Sequence, residues 1–297
     1  MPFGSSKAAM MGAAGAGGGP KFSGGTETSS GGYTYVTYTS SGTVTCDTGG
    51  VVDLILVGAG GGVSWNTGYI TQNGGGGGGG VISGAGVTID EGTYSLTIGA
   101  GPTANGANKG GYSEITLTGE SSSFTLRSGG GGHGAYGGWG ACSSGTTGTQ
   151  SAPSTSVYRS VWGAGGGGAV WYQGYCAGGG GGAGTLQTNG SWPIPAGGTW
   201  STHASQAGSA ANSWNNTGAG GGGADDTAGK GVPASSGNGG EGYTWLDGVM
   251  YGPGGPGANV SGRTWGSTTA KGGGWGGVAY STTGCPAGDG VFIVRYE

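Results

Sequence analysis

The sequence predicts an all-β protein: an antiparallel, jelly-roll-like β-sandwich followed by a bundle of polyglycine II helices with variable loops. Three observations carry this. Short runs that alternate β-branched or aromatic residues with polar ones fill residues 33–128 and return at the C-terminus. Glycine makes up 86 of the 297 residues and gathers in runs. In "GPGGPG" (252–257) and "GNGGEG" (237–242) a residue other than glycine recurs at every third position: Pro253 and Pro256, then Asn238 and Glu241.

The elements follow in order. Residues 1–32 open with "MPFGSSKAAMMGAAGAGGGP", too polar and glycine-broken for a secretion signal, and read as a flexible or assembly-anchored arm. Residues 33–128 read as the sandwich. "YTYVTYTSSGTVTCDTGGVVDLILV" (33–57) breaks at Gly and Ser pairs, and "VISGAGVTI" (81–89), "TYSLTIG" (93–99), "SEITLTG" (113–119) and "SSFTLRS" (122–128) continue the strand signal. Turns fall at "DEGT" (90–93) and "TGESS" (118–122). "GVFIVRYE" (290–297) reads as another alternating strand, so residues 286–297 are expected to return and pair beside an early strand. Residues 129–285 read as the glycine bundle with aromatic-rich loops. Its runs include "GGGGHG" (129–134), "GAGGGG" (163–168), "GGGGGAG" (178–184), "GAGGGGA" (218–224) and "GGGWGG" (272–277). Two more, "GAGGG" (58–62) and "GGGGGGG" (74–80), emerge from the sandwich itself.

A period of three belongs to neither an α-helix nor a strand. It is the period of the left-handed helix that rises about 3.1 Å per residue and makes no internal hydrogen bonds. Polyglycine in that form turns its N–H and C=O groups outward at every turn, so neighbouring helices can pair on all sides. A helix at the edge of such a bundle tolerates a side chain on its one outward face, at i and i+3. Ordering a glycine costs about 0.5–1 kcal/mol more than ordering an alanine, and a hydrogen bond returns about 0.5–1.5 kcal/mol net. Only a bundle in which nearly every residue bonds can therefore stay ordered. The competing reading is a set of loose glycine linkers.

Charged residues are only 7% of the chain, the net charge is −4 and the pI is about 5.0. No basic stripe exists for nucleic acid, and no run of 18 apolar residues for a spanning helix. The chain carries 10 Trp and 14 Tyr, which argues against a disordered low-complexity segment. Cofactor and metal chemistry find little support. G-x-G-x-x-G matches arise by chance at this glycine content, and "ADDTAGKG" (224–231) departs from a phosphate loop at Ala224 and Gly231. His203, Ser201 and Asp226 form a triad only on paper. Asp225 and Asp226 read as a solvated turn rather than a calcium site. No enzyme activity, cofactor or metal is expected. The four cysteines contain no CxxC pair. Either Cys46 pairs with Cys285 and Cys142 with Cys176, or all four are free thiols; the sequence leaves both open.

What remains is a binding surface. Candidate contact residues are the loop aromatics Trp139, Tyr158, Trp162, Trp192, Trp200, Trp214, Tyr243, Trp245, Trp265 and Tyr280. Trp and Tyr give large contact area at small entropy cost, and recognition loops favour them beside Ser, Gly and Asn. The same residues could instead cap the bundle, whose glycines have no side chains to cover its ends. Trp275, inside a glycine run, reads as structural.

The order "YTYVTYTSSGTVTC…VVDLILVGAGGG", "GGGGGGGVISGAGVTI", "GTYSLTIGAG" and a terminal "GDGVFIVRY" resembles the glycine-rich domain family of tailed-phage virion and bacterial surface proteins. The alternation of glycine runs with aromatic loops is similar to that of the tail-fibre adhesins of T-even-type phages. The opening "MPFGSSKAAMMGAAG" resembles the start of virion proteins of marine phages. The resemblance implies a virion structural protein, foremost a receptor-binding adhesin at a tail fibre or tail tip. Its loops would meet a host surface glycan or outer-membrane protein, and its arm or sandwich would meet other virion proteins. A homotrimer would suit such a site; neither nucleic acid nor membrane insertion is implied. The alternatives are a capsid fibre or decoration protein without a receptor role, and a bacterial surface adhesin or filament subunit. The sandwich in front of the bundle departs from the tail-fibre adhesins, so their mode of attachment does not carry over.

Overall fold

A computed structural model describes residues 19–63, 75–103, 108–120, 122–134, 242–255, 271–274 and 287–297, together with the backbone of short strands between 149 and 204. The described residues are all-β, and their sheets are antiparallel. Its strands are β1 (Lys21–Ser23), β2 (Thr26–Ser30), β3 (Tyr33–Tyr38), β4 (Gly42–Thr48), β5 (Gly50–Val57), β6 (Val81–Ile89), β7 (Gly92–Thr97), β8 (Ser113–Gly119), β9 (Ser122–Ser128), β10 (Thr149–Ser151), β11 (Val157–Ser160), β12 (Leu186–Asn189), β13 (Trp192–Pro195), β14 (Thr199–Trp200), β15 (His203–Ala204), β16 (Tyr243–Thr244), β17 (Met250–Tyr251) and β18 (Val291–Tyr296).

Two six-stranded sheets pack face to face. One runs β1-β4-β7-β8-β9-β10 and the other β11-β6-β5-β18-β3-β2. The returning strand β18 pairs with β5 on one side and β3 on the other, as Val294 opposite both Leu54 and Val36 shows. The inward residues follow the two-residue period of a strand. Leu54 and Leu56 of β5 and Phe292 and Val294 of β18 meet Val44, Leu96, Ile115, Leu117, Phe124 and Leu126 from the opposite sheet in one core. Each such side chain contributes about 1.5–3 kcal/mol of burial, so the sandwich has a base firm enough to carry what is attached to it.

Two sequence expectations are revised and one open alternative is decided. First, β18 does not simply alternate: Val291, Phe292, Ile293 and Val294 are all buried, as are Leu54 to Val57 of β5. These two central strands are covered on both faces, and a continuous apolar run is the signature of that situation. Second, the sandwich begins before residue 33. β1 pairs with β4 and β2 pairs with β3, so residues 21–30 belong to the sheets rather than to an arm. Gly31 and Gly32, both at positive φ (61° and 87°), form the two-residue turn into β3. Of the two states the sequence left open for Cys46, a bridge to Cys285 or a free thiol, the structure shows the free thiol. It is buried in the core, and its Sγ donates to the Thr48 carbonyl at 3.2 Å. Cys46 lies opposite Phe22, whose ring is 5.8 Å from that of Tyr296, the last residue of β18. Cys142, Cys176 and Cys285 themselves lie outside the described residues.

Candidate functional site

Strands at one end of the sandwich run on into glycine. β5 continues as 58–62, residues 75–80 lead into β6, β7 runs on to 99–101, 108–111 lead into β8, β9 continues as 129–134, and 287–290 lead into β18. Residues 252–255 and 271–274 join them. The seam is pinned by buried hydroxyls. Ser128 Oγ donates to the Gly80 carbonyl at 2.5 Å and accepts from Gly58 N–H at 3.1 Å. Ser113 Oγ donates to the Val57 carbonyl at 2.7 Å and accepts from Gly99 N–H at 3.0 Å. Both serines are fully buried. Asp289 adds a carboxylate that accepts from Gly101 N–H at 2.8 Å. The sequence reading passed over all three, because a serine beside a glycine run looks like loop composition.

Beyond the seam the hydrogen bonds of the glycine segments form no ladder. The N–H groups of Gly58 and Gly61 donate to Gly80 and Gly77, those of Ala59 and Gly62 to Gly111 and Asn108, and that of Gly60 to Gly288. Successive donors thus reach three different neighbours and return to the first after three residues. The same interval recurs where Gly77 and Gly80 donate to Gly132 and Gly129, and where Gly131 and Gly134 donate to Ala59 and Gly62. All these bonds are 2.7–3.0 Å long.

Contact is close enough to require glycine. A methyl group on Gly58 or Gly61 would strike the carbonyl oxygens of Gly129 and Gly132, and one on Gly76 or Gly79 those of Gly61 and Gly58. Gly60 is as tight, since a methyl there would strike the Gly273 carbonyl, but position 59 behaves differently. Ala59 is accommodated there, fully buried, and a methyl on Gly62, three residues on, would meet the Pro102 ring at 3.1 Å and the Asn108 carbonyl oxygen at 3.3 Å, without the overlap seen at Gly58 and Gly61. The chain leaves this block at Val63, Thr103, Gly134, Pro253–Gly255 and Gly274, and the residues that follow each exit lie outside the described ones.

The candidate contact residues divide accordingly. Trp139, Trp162, Trp214, Trp265 and Tyr280 lie outside the described residues. Tyr158, Trp192 and Trp200 lie on β11, β13 and β14; β11 pairs with β6, while β13 and β14 pair locally with β12 and β15. Trp245 is enclosed rather than exposed. It is buried at 4% exposure on the outer face of the second sheet, against Ile55, Val57, Val81, Val291 and Ile293. Tyr35 meets it edge-on with ring centroids 6.3 Å apart. Tyr243 packs partly buried on the same cluster and takes a hydrogen bond from Ser83 Oγ at 3.3 Å. The outer face of β5 and β18 is apolar, so it needs a lid, and the β16–β17 hairpin supplies one. The hairpin tip in turn exposes Leu246, Val249 and Met250.

The rest of that outer face is polar. Asp53, at a bulge in β5, accepts from Gly86 N–H at 3.0 Å and from Arg295 at 2.5 and 3.0 Å. The Arg295 guanidinium lies 4.2 Å from the centre of the Tyr33 ring. Among the described residues no cluster of His, Cys, Asp and Glu is arranged to hold a metal ion, and no helix is long and apolar enough to cross a membrane.

No protein-family model matches the chain, and no curated protein matches it.

Proposed function

We propose that the protein is a display component of a virus particle of the tailed-phage kind: a jelly-roll-like base that carries a bundle of polyglycine II helices, with the segments between the helices forming a receptor-binding surface. One observation carries the reading. Donors in the glycine segments return to the same neighbour after three residues, the period of a polyglycine II helix; a 3₁₀-helix shares that period but bonds within its own segment, whereas these bonds run between segments. A block bonded in three directions is stiff, and segments of any sequence can leave it without disturbing it. Aromatic, serine-rich and asparagine-rich insertions on a stiff scaffold suit recognition of a host surface glycan or outer-membrane protein. The sandwich, and the residues before it, would join the chain to other virion proteins.

The burial of Trp245 favours a second reading, in which the remaining aromatics also serve packing and the protein is a capsid fibre or decoration component. The two readings differ in what happens at the particle surface. Antibodies raised against residues 135–148 and 205–241 should label intact particles and block adsorption if the protein is an adhesin. Exchange of those segments should change host range. Particles that adsorb normally with the segments exchanged would leave only the structural role, and particles that lack the chain would remove both.

A further inference from the structure

The outer face of the second sheet holds a cleft that the covering hairpin only partly fills. Its volume is about 250 Å³. The floor is Ile293 and Val291 of β18. On one side stand Tyr35 and Thr37 of β3 with Thr28 of β2, placed together because Thr28 lies opposite Tyr35 in the ladder. On the other side stand Tyr251, Asp247 and Lys271. Asp247 is held in place: Oδ1 accepts from Val249 N–H at 2.8 Å and Oδ2 accepts from the Tyr251 hydroxyl at 2.6 Å. Each oxygen keeps a further lone pair for a ligand. Lys271 has no ion-pair partner among the described residues.

We propose that this cleft is a saccharide-binding site that takes one pyranose unit, independent of the segments beyond the glycine block. The chemistry decides among ligand classes. An anion would meet one ammonium group and, beside it, a fixed carboxylate. A metal ion would find a single carboxylate and a lysine. An apolar ligand would bury Asp247 and the Thr28 and Thr37 hydroxyls without partners, at about 1–3 kcal/mol for each group. A neutral ring with hydroxyls on its edge and C–H groups on its faces satisfies every wall at once. Its C–H face lies on a tyrosine ring, a pair of its hydroxyls donates to Asp247, and Lys271 and the threonines donate to or accept from the others. Size agrees, since sites for drug-sized ligands run from about 300 Å³ upward and this one is smaller.

The test is saturation-transfer NMR on the full chain with a panel of free methyl pyranosides and N-acetylhexosamines. At least one should receive saturation at its ring C–H protons. Thr28→Trp, a substitution on an exposed edge strand that fills the cleft, should abolish the signal without lowering the melting temperature. Asp247→Asn should weaken binding about tenfold or more, the loss expected for a hydrogen bond to a charged group. If T28W does not fold, Lys271→Gln serves in its place and should weaken the same sugar. No transfer to any member of the panel, or transfer that survives both T28W and K271Q, overturns the proposal. The second result would place sugar binding elsewhere on the chain and leave the display reading standing; failure of the display reading in particle experiments would leave this cleft unaffected.

Discussion

Ser128 donates its hydroxyl to the carbonyl of Gly80 at 2.5 Å, across 48 residues of sequence and in a fully buried setting. The bond ties the last residue of β9 to the last glycine before β6, at the level where pleated strands give way to glycine segments. The same oxygen accepts from Gly58 N–H, which also donates to the Gly80 carbonyl at 3.0 Å, so one hydroxyl braces the last bond between these two segments from the opposite sheet. Ser128→Ala should remove two buried hydrogen bonds at about 0.5–1.5 kcal/mol each, about 1–3 kcal/mol in all. For a chain of this size that is a fall in melting temperature of about 2–10 °C, read by calorimetry. Ser113→Ala should behave alike, because Ser113 holds Val57 and Gly99 in the same way. Unchanged melting in both variants would mean the seam carries no load.

Glycine substitutions separate a packed block from a set of linkers. Gly61→Ala and Gly79→Ala each place a methyl on a neighbouring carbonyl oxygen. Each should cost about 1–3 kcal/mol or more. Ala59→Gly, among the clashing positions of its own segment, should cost no more than about 1 kcal/mol. Linkers would tolerate all three changes equally. Chemical denaturation of the three variants side by side makes the comparison.

The sandwich was largely legible because strands covered on one face advertise it. "SEITLTG" became β8 with Ile115 and Leu117 inward and the threonines outward. The last strand was legible as a strand, though it was read as alternating and the continuous apolar run "VFIV" was not taken as the mark of a central strand. β2 was not: "TETSS" is exposed at every position, so no apolar alternation marked it, although the Gly31–Gly32 pair before an aromatic strand was an available hairpin signal. The role of Trp245 was hidden for another reason. Its partners Ile55 and Val291 lie far away in sequence, and only the doubly apolar stretches "LILV" and "VFIV" hinted that the outer face needed a cover. The seam serines were hidden because their partners are main-chain groups, which leave no trace in composition.

Trp245→Ala should act on stability rather than on recognition. It would open a cavity over Ile55, Val57 and Val81 and cost about 3–5 kcal/mol, a large share of the about 5–15 kcal/mol that holds a domain together. Exposure of the outer face should show as increased binding of a hydrophobic dye below the unfolding transition. A variant that melts normally but no longer binds cells would return Trp245 to the contact surface.

Alkaline pH should weaken the sandwich through its core thiol and phenols. Burial, and then the charge of Asp47, push the Cys46 thiol up from its ordinary 9.0 to about 11. Burial first also raises Tyr38, Tyr94 and Tyr296. A group whose pKa is higher in the folded state holds its proton there longer than in the unfolded chain. Its contribution is full below the unfolded pKa and is lost as pH rises through the folded value. Melting temperature should therefore be insensitive to these groups up to about pH 9 and fall as Cys46 titrates between about 9 and 11, with the tyrosines extending the loss upward. The same burial keeps the thiol neutral and unreactive near pH 8. With Cys142→Ser, Cys176→Ser and Cys285→Ser in place, a thiol reagent should find no reactive group until denaturant is added. Immediate reaction of the folded triple variant would show that Cys46 is not sealed inside the sandwich.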